Sequence, residues 1–109
     1  MSWSLIYTDE AFSELNDLDK CVKAQVIKGI RKALINPLPQ SEGGYGHALG
    51  NKNGINLTGY LKLKFLKLGI RAVYKLERTE QKMRVIIISA RSDNEVYIQA
   101  KKRIEKYLF

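Results

Sequence analysis

Five side chains in the second half of the chain have the types and spacing to act on a phosphodiester: Lys62, Lys64, Arg71, Arg91 and Tyr97. Cleavage of RNA by its own 2′-hydroxyl needs a base for that hydroxyl, stabilisation of a phosphorane-like transition state, and an acid for the departing 5′-oxygen. A lysine crowded by other cations has its charged form disfavoured and can lend a neutral amine as base. Arg71 and Arg91 bring planar guanidinium groups, which hold phosphate oxygens through paired hydrogen bonds where negative charge develops. Tyr97 can stack on a base or hydrogen-bond to the reacting backbone. Alternating lysines are equally the mark of a plain solvated strand face or a guarded sheet edge, so the elements that carry them must decide.

Those elements follow from periodicity. In Tyr60-Leu61-Lys62-Leu63-Lys64-Phe65 the apolar residues Leu61, Leu63 and Phe65 fall on one face of a strand and Tyr60, Lys62 and Lys64 on the other. Lys62 and Lys64 are then about 7 Å apart. Lys67-Leu68-Gly69 makes a short turn, and Ile70 to Leu76 returns with Arg71, Val73 and Lys75 on the lysine side. Glu77 to Lys82 is the next turn, and Arg84 to Ser89 is a β-branched run that reads as a central strand buried on both faces. Arg91 follows that strand directly. Ser92 or Asp93 caps a last helix with Val96, Ala100 and Ile104 on one side and Tyr97 one to two turns in.

Upstream, Leu5-Ile6-Tyr7 is a short strand, and Thr8 or Asp9 caps a helix with Ala11, Phe12, Leu15 and Leu18 on its apolar face. Asp19 caps a second helix carrying Val22, Val26, Ile30 and Ala33, which Asn36-Pro37-Leu38-Pro39 stops. Gln40 to Asn56 holds five glycines and reads as a loop, with His47 a loop histidine. Trp3 and Tyr60 read as packing residues. The expected fold is α+β: a short N-terminal strand and helical hairpin packed on an antiparallel meander, then a C-terminal helix, with the helices segregated against the sheet.

Length and charge set the frame. A chain of 109 residues suits one domain, here 1–109, with no linker or repeat to divide it. Nineteen Lys+Arg against eleven Asp+Glu give a net charge of +8 and a pI ≈ 9.7, which favours polyanionic partners. The charge is uneven: residues 51–76 contain Lys52, Lys62, Lys64, Lys67, Arg71 and Lys75 and no acid, whereas the first forty residues are balanced. No stretch is long and apolar enough for a membrane span, so no membrane partner is expected. The N-terminus does not read as a signal peptide, and the single Cys21 fits a reducing cytoplasm. One histidine, one cysteine and no carboxylate pair at ligand spacing give no metal site, and no cofactor is expected.

The segments Gly59-Tyr60-Leu61-Lys62-Leu63-Lys64 and Gly69-Ile70-Arg71-Ala72-Val73-Tyr74 resemble the signature of the RelE/ParE toxin superfamily, in its RelE-type mRNA interferase branch. Ile87-Ile88-Ser89-Ala90-Arg91, Asn94-Glu95-Val96-Tyr97 and Lys102-Arg103-Ile104 resemble that family's last strand and helix, and the helical hairpin ending in Asn36-Pro37 matches too. The likeness therefore spans nearly the whole chain. It implies a metal-independent endoribonuclease that cuts mRNA in the ribosomal A site, leaves a 2′,3′-cyclic phosphate, inhibits translation and is neutralised by a cognate antitoxin. Carried over, Lys62 and Lys64 are the base and the phosphate-binding lysine, in either order. Arg71 stabilises the transition state, Arg91 binds phosphate or assists the leaving oxygen, and Tyr97 orients the substrate. The segment from Gly43 to Asn56 is longer than the family's usual turn, and Lys52 is a loose counterpart of its basic residue. Some branches use Glu and His as acid and base, and neither stands at the matching positions here. Two other readings share these features: a ParE-type inhibitor of DNA gyrase, and a basic nucleic-acid-binding module without catalysis.

Overall fold

The computed structural model describes residues 3–52, 54–90 and 92–107, and of Lys52, Asp93 and Tyr107 the backbone alone. The elements run β1 (Ser4–Tyr7), α1 (Asp9–Asn16), α2 (Lys20–Leu34), a 3-10 turn (Gln40–Glu42), β2 (His47–Ala48), β3 (Asn51–Lys52), β4 (Ile55–Asn56), β5 (Tyr60–Phe65), β6 (Ile70–Glu77), β7 (Lys82–Ser89) and α3 (Asp93–Tyr107). The α+β class and the order of helices and meander are as the sequence indicates.

Capping sets the helix starts. The Thr8 side chain accepts a hydrogen bond from the Ala11 amide at 3.2 Å, satisfying one donor of the first turn of α1. At α3, Ser92 takes the cap: its carbonyl accepts from the Val96 amide at 2.9 Å, and its hydroxyl meets both the amide and the carboxylate of Glu95. Asp19 begins α2 without a side-chain bond.

The main sheet has five strands in the order β1-β7-β6-β5-β2. β5, β6 and β7 form the expected antiparallel meander, but β1 lies parallel to β7, from Ser4 opposite Lys82 to Tyr7 opposite Val85, so the sheet is mixed. Periodicity identifies a strand but not its partner. Parallel neighbours need a long crossover, which here contains both helices of the hairpin and the strands that follow.

One face of the sheet meets α1 and α2. Ala11, Leu15, Val26, Ile30 and Ala33 pack on Leu61, Leu63, Ile70, Ala72, Tyr74, Met83, Val85 and Ile88. Each such side chain withdrawn from water contributes about 1.5–3 kcal/mol for a residue of valine to leucine size. The last helix lies on the other face: Val73 and Ile87 point away from α1 and α2, and α3 covers them with Val96, Tyr97 and Ala100. An uncovered opposite face would leave those apolar residues in water.

A bulge in β7 adjusts the alternation. Val73 pairs with Ile87 and Tyr74 with Val85, so Ile86 is an extra residue, and Met83, Val85 and Ile88 all reach the α1–α2 core despite their mixed parity.

The reading of residues 40–56 as loop is also corrected. His47–Ala48 pairs with Leu61 and Lys62 of β5, and β3 pairs with β4 as a small hairpin whose Ile55 packs on the α3 side. Asn53-Gly54, between the two short strands, is a strong turn dipeptide; Gly54 has φ +78° and Asn53 lies outside the described residues. Gly46 is fixed by packing. A Cβ there would lie 2.2 Å from the Tyr74 hydroxyl, which donates to the Pro37 carbonyl at 2.8 Å and joins the end of the helical hairpin to the sheet. Burial pushes that phenol's pKa upward. Among the described residues no helix is long and apolar enough to cross a membrane.

Candidate functional site

Strand alternation places the three described cations together. Leu61 and Leu63 are buried beneath α1 and α2, so Lys62 and Lys64 emerge on the α3 face, the first half-buried and the second exposed. Arg71 emerges on the same face of β6, because its neighbours Ile70 and Ala72 face the other core. Register makes the arrangement specific. Lys64 lies directly opposite Arg71, and Arg71 in turn lies opposite Ser89, so one row across the sheet reads Lys64–Arg71–Ser89. The adjoining row reads His47–Lys62–Val73–Ile87.

Directly opposed side chains on one sheet face have their Cβ atoms about 4.5–5.5 Å apart, and like charges so placed are destabilising. Lys64 and Arg71 so placed repel across the two strands, and an anion bound between them would offset that repulsion. Carboxylates pair with cations away from this row: Arg78 with Glu42 at 2.6 Å, Lys82 with Glu80 at 2.5 Å, Arg84 with Glu77 at 3.1 Å and Arg103 with Glu14 at 2.7 Å. The Arg78 guanidinium holds the Glu42 carboxyl below its ordinary pKa, as Lys82 does for Glu80. These carboxylates are engaged at the β6–β7 turn and the helices, and none pairs with Lys64 among the described residues.

Tyr97 reaches the same face but is 7% exposed, packed with Val73 and Ile87 of the Lys62 row. It walls the site from within rather than standing open beside it. Arg91 lies outside the described residues, and Ser89, two positions earlier in the chain, ends β7 opposite Arg71. The side chain of Lys52 is likewise outside them. The register adds a residue that the sequence reading set aside: His47, opposite Lys62 on β2. Its two-residue strand is too short to alternate visibly, and only the pairing locates it. On the far side of Lys62, Tyr60 carries the Lys75 ammonium 6.0 Å from its ring centroid, and burial raises the Tyr60 pKa.

The row can bind a phosphate between a guanidinium and an ammonium, with a second amine one residue pair away to exchange a proton. No three His, Cys, Asp or Glu side chains converge as metal ligands among the described residues.

No protein-family model matches the sequence, and no curated protein does. Solved structures do. A doubly substituted form of the E. coli toxin RelE in the free state is 25% identical, covering 95% of this chain and 99% of that chain, with a TM-score of 0.71. The isolated E. coli RelE toxin is 24% identical over 94% of this chain and 99% of that chain, with a TM-score of 0.65. The intact E. coli RelBE toxin–antitoxin complex matches at 20% identity over 84% of this chain and 99% of that chain, also with a TM-score of 0.65. The last two establish the fold. Nearly end-to-end agreement in helices, mixed sheet and C-terminal helix places this chain in the RelE/ParE toxin superfamily.

Proposed function

We propose that the chain is the toxin of a type II toxin–antitoxin system, a metal-independent endoribonuclease that cuts mRNA in the ribosomal A site and so stops translation in the cytoplasm. The observation that carries this reading is the opposed pair Lys64–Arg71 with Lys62 in the next row, three cations gathered on one sheet face. The similarity to RelE structures supports the toxin assignment, and the RelBE complex supports a cognate antitoxin as partner.

In this mechanism Lys62 or Lys64 removes the 2′-hydroxyl proton, and the oxygen attacks the adjacent phosphorus. Arg71, with the remaining lysine, binds the phosphorane-like oxygens as charge builds. The departing 5′-oxygen takes up a proton from water, with Arg91 on the phosphate or the leaving oxygen, giving a 2′,3′-cyclic phosphate and a 5′-hydroxyl. Tyr97 orients the substrate at the inner wall. The net charge of +8 draws the protein to ribosomal RNA and mRNA.

The test is cleavage on translating ribosomes, beside free mRNA, with Arg71→Ala as control. The reading requires cuts within the A-site codon by the wild type and none by the variant. Growth arrest without cleavage in either setting contradicts it and points to gyrase, which a DNA supercoiling assay then examines.

A further inference from the structure

The cationic face continues past the sheet edge. β2 covers only Leu61 and Lys62 of β5, so Leu63, Lys64 and Phe65 have no strand beside them on that side among the described residues. α2 lies across the opening, and between them is a cleft of about 270 Å³ walled by Lys32, Tyr45, His47, Lys64 and Phe65. Gly29 of α2 allows Phe65 to lie close, since a Cβ there would meet the ring at 2.3 Å. A second hollow of about 290 Å³ shares Lys64 and Phe65 and runs on to Gln25 and Lys67. The two make one trough with Lys32, Lys64 and Lys67 along it, and no carboxylate pairs with these lysines among the described residues.

Tyr45 gives the trough its chemical character. Tyr45 is 46% exposed and lines the first cleft, and the Lys32 ammonium lies 5.7 Å from its ring centroid. A large aromatic left half in water contributes only part of its area to the fold, while a cationic groove with an exposed ring is the arrangement that holds single strands, bases on the ring and phosphates on the lysines. The cleft is slightly smaller than the roughly 300–1,000 Å³ of drug-sized pockets, which suits one nucleoside.

We propose that the trough between α2 and the open edge of β5 binds single-stranded RNA flanking the cut, with one nucleobase stacked on Tyr45 and phosphates on Lys32 and Lys67. The inference rests on the ribonuclease reading, because Lys64 belongs both to the trough and to the row that would hold the reacting phosphate.

The test uses a short fluorescent 2′-O-methyl oligoribonucleotide, which has no free 2′-hydroxyl and is not consumed. At fixed salt, Tyr45→Ala is expected to bind it about tenfold more weakly, within the range for loss of a base–aromatic stack. Tyr45→Phe keeps the ring and should bind like the wild type. A Tyr45→Trp protein should lose indole fluorescence on adding the oligonucleotide and not on adding inorganic polyphosphate, which supplies charge without bases. Equal binding by wild type and Tyr45→Ala, or equal quenching by polyphosphate, overturns the proposal. Tyr45-dependent binding by a protein that cuts no RNA on ribosomes supports the trough while removing the ribonuclease reading; cleavage with Tyr45-independent binding does the reverse.

Discussion

Arg103 of α3 grips Glu14 of α1 through two hydrogen bonds, Nη1 to Oε1 at 2.7 Å and Nη2 to Oε2 at 3.0 Å. The pair closes a gap in the sheet. β1 pairs with β7 only as far as Val85, leaving the next residues of β7 with backbone groups on an open edge. Glu14 accepts from the Ile88 amide at 3.1 Å, and Arg103 donates to the carbonyl of Ile86, the bulge residue, at 2.9 Å. Thr8 donates to that same carbonyl at 3.3 Å. The first and last helices, on opposite faces of the sheet, are thus joined around its edge, and α3 is held over the face that carries Lys62 and Arg71.

Because the Arg103 side chain is only 12% exposed, removing it takes the charge partner from Glu14 and one of two side-chain donors from the Ile86 carbonyl. Arg103→Ala should lower stability by about 2 kcal/mol, below the 3–5 kcal/mol of a fully buried pair because Glu14 is partly solvated. Urea denaturation of Arg103→Ala, Glu14→Ala and the double variant should give a coupling of about 1 kcal/mol or more. Strict additivity would mean that the two side chains do not act together.

The opposed cations predict the contrary sign. Lys64→Ala relieves repulsion across β5 and β6, so it should be as stable as the wild type or more stable by a few tenths of a kcal/mol, most clearly at low salt. Thermal unfolding at low and high salt measures this. A marked loss of stability in this variant would make Lys64 structural.

Function should fall as stability holds. Lys62→Ala and Lys64→Ala should each reduce cleavage at least tenfold, about 1.4 kcal/mol of transition-state stabilisation. Single-turnover rates on programmed ribosomes decide it, and wild-type rates in both variants would rule out a lysine base.

Tyr97 calls for a different expectation. At 7% exposure beside Val73 and Ile87 it is part of the α3 interface, so Tyr97→Ala should cost about 3 kcal/mol and lose activity largely through the fold. Tyr97→Phe keeps the packing and isolates the hydroxyl. If Tyr97→Phe cleaves normally, the residue acts as a wall and not through its phenol.

The sequence made the meander legible because one-sided burial writes itself as alternation: Leu61 and Leu63 inward, Lys62 and Lys64 outward, with Arg71 returning on the same side. What it hid has physical causes. The parallel contact of β1 with β7 is a matter of partner, on which period says nothing. The Ile86 bulge breaks parity in a run where every residue is apolar. β2 is too short to show a period, so the place of His47 opposite Lys62 came only from the register. The hairpin of β3 and β4 did have a signal, Asn53-Gly54 between two short strands. The burial of Tyr97 was readable too, since it stands three residues before Ala100 on the apolar side of α3.

The most direct test of the central claim is the chemistry of the cut ends. On translating ribosomes, an mRNA cut by the wild-type chain should yield a 2′,3′-cyclic phosphate and a 5′-hydroxyl by mass spectrometry, and a 2′-deoxy substitution at the nucleotide before the cut should abolish cleavage. Products with a 3′-hydroxyl and a 5′-phosphate, or undiminished cleavage of the deoxy-substituted message, would contradict attack by the 2′-oxygen and the roles assigned to Lys62, Lys64 and Arg71.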